Sequence, residues 1–116
     1  MNTEQFNKIL TNTLTELSTT LGSKGAEYTI TEDRLKNFSD AGQFLGCHPE
    51  AALLSFVTKH IIALKDFVVL LNQGKLRPRA QWQEKTGDIM AYMVLLRALL
   101  EERFQTIEGS TDEDSV

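Results

Sequence analysis

The sequence predicts an all-α fold, a helical bundle of about four helices that is completed as a homodimer, and three observations carry that expectation. Apolar residues recur at helical spacing through every long stretch of the chain. Gly22, Gly46 and Gly74 punctuate those stretches where helices need to stop. The segment from Glu50 to Asn72 is apolar around nearly its whole circumference, so it calls for cover on several sides.

The N-terminal helix is predicted over about residues 2–21, where Phe6, Ile9, Leu10, Leu14, Leu17 and Leu21 form a stripe among Thr, Asn and Glu. Its many threonines lower intrinsic propensity. It therefore depends on packing against another element, which a partner subunit could supply, and Gly22 reads as its C-terminal cap. The motif-rich segment 23–45 is a polar loop running into a short helix. Thr31 or Glu32 is expected just before that helix, with Arg34, Asn37, Phe38 and Ala41 following at helical spacing.

Gly42 to Gly46 ends the short helix, and Pro49 opens the central one, expected over about 50–72. The β-branched residues of that segment would also suit a strand, but its length and the placement of Lys59, Lys65 and Asp66 favour helix. Lys59, Ala63, Asp66 and Leu70 share one stripe, so Lys59 and Asp66 are expected to look inward. The basic break Gly74-Lys75-Leu76-Arg77-Pro78-Arg79 is either an ordinary turn or a rim that steers anions. Trp82 introduces the final helix, expected over about 82–104, and residues 108–116 read as an acidic, disordered tail.

A chain of 116 residues that is 41% hydrophobic suits one domain, here residues 1–107, with a modest core. The net charge of −4 is accounted for by Glu108, Asp112, Glu113 and Asp114, which leaves residues 1–107 balanced. That argues against a broad nucleic-acid surface while allowing a local cationic pocket. Cys47 is alone, so no internal disulfide is expected, and a reducing cytoplasm is the simplest compartment. No signal-like or membrane-spanning run is read in the sequence, so no membrane is expected as a partner.

The polar residues on inward stripes or in the motif-rich loop are Lys24, Glu27, Arg34, Asn37, Lys59, His60, Asp66, Glu84, Asp88 and Tyr92. At about 100° per residue, Glu84 and Asp88 continue the stripe of Ala91, Leu95 and Leu99. Like charges four residues apart cost a helix about 0.2–0.5 kcal/mol, so a cation is expected between them, either a divalent metal or a Lys or Arg. Carboxylates one turn apart suit Mg²⁺, a hard ion that prefers oxygen ligands and shares them with phosphate. Lys24, Arg34 and Lys59 suit phosphate oxygens, and Tyr28 or Tyr92 suits a base. The competing reading is an inward salt-bridge network in which Lys59 and Arg34 pair with Asp66, Glu84 or Asp88. His60, with His48 as the only other histidine, is more simply satisfied by a nearby acid than used as a metal ligand. No Ser-His-Asp pattern, P-loop or Rossmann fingerprint is present.

Lys24-Gly25-x-Glu27-Tyr28, Asp33-Arg34-Leu35-x-Asn37-Phe38, Lys59-His60 with Asp66, and Glu84-Lys85-x-Gly87-Asp88-x-x-x-Tyr92 together resemble a group of small phage and prophage proteins. That group is itself similar to the MazG-like all-α nucleoside triphosphate pyrophosphohydrolases. The resemblance covers about residues 23–103. It implies a helical bundle, often dimeric, in which acidic pairs on two successive helices hold Mg²⁺ while a nucleotide is cleaved between its α- and β-phosphates. On that resemblance Glu84 and Asp88 stand for the second acidic pair; together with Asp66 they are the candidate catalytic acids, and Asp66 or Glu27 is expected to complete the metal site with them. Lys24, Tyr28, Arg34, Asn37, Lys59, His60 and Tyr92 are then the nucleotide and phosphate contacts. The chain departs from the family pattern at Glu84 and Asp88, spaced i,i+4 where the family shows i,i+3. It departs further at Lys59-His60, where the family carries Glu-x-x-Glu.

Three functions follow. The first is Mg²⁺-dependent pyrophosphohydrolysis of a nucleotide. The second is binding or sequestration of a nucleotide without turnover, which needs the cations and a stacking tyrosine but no metal. The third is a structural helical interaction module whose polar network specifies packing.

Overall fold

Among the described residues the chain forms four helices: α1 (Thr3–Tyr28), α2 (Lys36–Leu45), α3 (Pro49–Asn72) and α4 (Arg79–Asp114). The computed structural model describes the backbone of residues 1–28 and 33–114, and the side chains of residues 1–22 and 33–109. No strand occurs among the described residues, so the all-α bundle expected from periodicity is the fold.

The helix boundaries follow from local chemistry. At the start of α1 the Asn2 Oδ1 accepts the Gln5 backbone N–H at 2.8 Å while the Gln5 Oε1 accepts the Asn2 N–H at 2.8 Å. This reciprocal box satisfies two donors that a helix start leaves open. Gly46 and Gly74 sit at φ 72° and 80°, a region that costs other residues energy. Each completes a Schellman motif. The Cys47 N–H reaches the Gly42 carbonyl at 2.9 Å after α2, and the Lys75 N–H reaches the Leu70 carbonyl at 2.9 Å after α3. Pro49 occupies the first turn of α3, preceded by His48 in extended conformation.

Three boundaries differ from the sequence reading. Gly22 does not cap α1, which runs on to Tyr28, and it has no positive φ. The short helix begins at Lys36, after Asp33 Oδ1 accepts the Leu35 N–H at 2.9 Å; Thr31 and Glu32 lie outside the described residues. α4 starts at Arg79, because the Pro78 carbonyl already receives the Gln81 and Trp82 N–H groups, and it continues past Phe104 to Asp114, so residues 108–114 are helical in place of the expected disordered tail.

The helices pair in the series α1–α4–α3–α2, with α3 against α4 the most extensive contact. Where α2, α3 and α4 converge, Leu35, Phe38, Leu53 and Leu99 form the core, and Tyr92, Leu95 and Leu96 pack against it. Leu53 and Val57 are fully buried. Gly42 permits the end of α2 to press on the following turn, since a Cβ there would lie 2.7 Å from the Cys47 carbonyl oxygen. The arrangement is elongated, 61 × 35 × 29 Å, with a radius of gyration of 18.0 Å. A compact chain of this length would have about 13 Å.

Candidate functional site

The seam between α3 and α4 brings together three of the expected site residues. His60, on the face of α3 that also carries Leu53, Val57, Leu64 and Phe67, meets Asp88 and Tyr92, one turn apart on α4. His60 Nδ1 lies 3.5 Å from Asp88 Oδ2, and the two side chains are only 15% and 19% exposed. The Tyr92 ring lies beside the imidazole, with centroids 5.5 Å apart and planes inclined at 39°. A carboxylate, an imidazole and a phenol therefore share one half-buried spot, with Tyr92 also touching the core.

The other expected residues stand elsewhere. Lys59, Asp66 and Glu84 are exposed, which overturns the expectation that they look inward. The reason is phase: a helix apolar all round does not reveal which side faces the body, and α3 buries the side through His60 instead of the side through Lys59 and Asp66. Arg34 Nη2 donates to the Leu21 carbonyl at 2.8 Å, tying the start of α2 to α1. Asn37 is exposed. The side chains of Lys24, Glu27 and Tyr28 lie outside the described residues.

Among the described residues no group of three or more His, Cys, Asp or Glu side chains gathers as a metal site. Asp88 faces an imidazole where a Mg²⁺ site would present a further carboxylate. The described donors alone therefore do not fit that ion.

Two further clusters lie away from this spot. Arg103 forms a two-pronged pair with Glu50, Nε to Oε2 at 2.7 Å and Nη2 to Oε1 at 3.1 Å, and Nη2 lies 3.4 Å from His48 Nδ1. The Arg103 guanidinium holds the Glu50 carboxyl below its ordinary value of 4.5 through these hydrogen bonds. An open cleft of about 210 Å³ adjoins the pair, between Ser39, Pro49, Leu99 and Ile107. Nothing local in the sequence announces a pair 53 residues apart. In the basic turn, Arg77 donates from Nε to Gln81 at 2.9 Å and lies over the Phe67 ring, which meets Trp82 edge-on. Arg77 is thus engaged in packing the turn, and the buried Trp82 Nε1 has no acceptor among the described residues.

Comparison with known protein families, curated proteins and solved structures finds no match. No helix among the described residues is long and apolar enough to cross a membrane. The functional reading therefore rests on the site itself and on the spaced motifs.

Proposed function

We propose that this chain is a nucleotide-binding helical protein that acts as a homodimer. The observation that carries the reading is the half-buried His60–Asp88–Tyr92 cluster on the α3–α4 seam. Its chemistry suits a base and sugar: an aromatic ring offers a stacking face, the imidazole offers an N–H donor, and the carboxylate offers acceptor oxygens, in partial shelter from water. Lys59 adjoins His60 in sequence and is exposed, where an ammonium can meet phosphate oxygens as they leave the seam. The motif resemblance to nucleotide-cleaving helical proteins points the same way. Binding without turnover is favoured over hydrolysis because Asp88 is engaged with His60, in the helix where the enzymes carry a carboxylate pair.

Calorimetric titration with nucleoside mono-, di- and triphosphates, with and without Mg²⁺, tests the proposal. Binding in chelator that weakens in His60→Ala and Lys59→Met supports it. Binding that requires Mg²⁺ and releases pyrophosphate assigns the chain to hydrolysis instead. Absence of affinity for every nucleotide leaves the structural interaction module.

A further inference from the structure

α1 carries one apolar stripe along its length, but only part of that stripe is covered. Leu17 and Leu21 are half-buried, whereas Phe6, Ile9, Leu10 and Leu14 are 46–56% exposed. The charged residues Glu4 and Lys8 stay on the other side of the helix, and Glu16 flanks the stripe beside Ile9. Thr13 beside the stripe donates its hydroxyl to the Ile9 carbonyl at 2.7 Å, so it can enter a dry interface without losing a hydrogen bond.

α3 presents a second uncovered row. Leu54, Ile61 and Val68 recur every seven residues and are 50%, 50% and 44% exposed. They flank Val57 and Leu64, which face the body, lying about 50° further round the helix. The inner row has a partner. The outer row has none among the described residues.

Resting on the homodimer reading above, we propose that the exposed half of α1 in one copy lies along the outer row of α3 in the other. Within one chain these two surfaces do not meet, because the described helices pair only in the series α1–α4–α3–α2. That series leaves an open array, whereas stable domains close apolar faces between packed layers. Exchange between two copies covers both surfaces on both chains under one two-fold axis. The area agrees. A compact 13.1 kDa monomer exposes roughly 6,400 Å², against 8881 Å² here. Burying only half of that excess on each copy removes about 2,500 Å² in total, within the range of obligate homodimers. A membrane surface is the poorer occupant, since α1 lacks the basic polar face that interfacial helices use.

Light scattering coupled to size exclusion, at tens of micromolar, is the first test, and disulfide trapping in a Cys47→Ser background is the second. Wild type is expected at twice the chain mass, and Leu10→Lys with Leu14→Lys at the single-chain mass with helical circular dichroism retained. Chains carrying Leu10→Cys, mixed with chains carrying Leu54→Cys, Ile61→Cys or Val68→Cys, are expected to cross-link at one of the three positions or more. A monomeric wild type overturns the dimer reading and this one with it. A dimeric wild type in which Leu10→Cys traps none of the three positions overturns the exchange alone, whether or not the lysine variant still folds.

Discussion

His60 and Asp88 face each other across the α3–α4 seam at 3.5 Å, each still partly open to solvent. A pair so placed can hold the seam together and can also turn either group toward a ligand. The distance is longer than an optimised charged hydrogen bond of about 2.7–2.9 Å.

Asp88→Asn separates those two roles. The amide keeps the shape of the carboxylate and removes its charge, so the fold is expected to lose about 1 kcal/mol at most, measured by urea unfolding. Nucleotide affinity is expected to fall about tenfold, equivalent to about 1.4 kcal/mol of binding free energy. Unchanged affinity in titrations of the folded variant would confine Asp88 to holding the seam.

Glu50 makes acid sensitivity predictable. Its carboxyl is held below 4.5 in the folded state by Arg103, so the folded state binds its proton less readily than the unfolded chain does. The resulting stability is present above the unfolded value and is lost as pH falls through the folded one. Glu50→Gln is expected to be less stable than wild type at pH 7 and to approach it in acid. Thermal melts across pH 3–7 that keep a constant gap between the two proteins would show that the pair contributes no pH dependence.

The parts of the fold that the sequence disclosed are those fixed locally. Gly46 and Gly74 end helices because a left-handed residue closes each Schellman motif, and Pro49 starts one because its fixed φ suits the first turn. The reciprocal box at Asn2 and Gln5 was equally readable, as an Asn followed three residues later by Gln. Phase and long-range pairing were not readable. Lys59 and Asp66 are exposed because nothing in an all-apolar circumference points to one side, and Glu50 meets Arg103 only through tertiary packing. Of the site, Asp88 was legible from its place on the stripe of Ala91 and Leu99, and its partner His60 was legible only as a histidine in want of an acid.

Gly42→Ala sets helix propensity against space. Alanine in a helix is favoured over glycine by about 0.8–1.0 kcal/mol. Its Cβ at residue 42, however, would meet the Cys47 carbonyl oxygen at 2.7 Å and the Pro49 nitrogen at 3.2 Å, both backbone atoms that cannot swing aside. Overpacking of that kind costs about 1–3 kcal/mol. A net loss of stability is expected in urea unfolding, and a gain would mean that the turn after α2 yields.

Gly22→Ala carries the opposite sign and tests the course of α1. If Gly22 were a left-handed cap, alanine there would be strained and would destabilise the protein. Gly22 instead lies within α1, has no positive φ, and leaves open space where a Cβ would stand. Alanine then removes backbone freedom from the unfolded chain and strengthens the helix without a clash. The expected gain is about 0.5–1 kcal/mol, read as a higher urea midpoint with an unchanged slope. The mass in solution should not change, because Gly22 lies beyond the half of α1 that carries the uncovered stripe. A lower midpoint in Gly22→Ala would place the end of the helix at residue 22 after all, and would detach the residues that follow from α1.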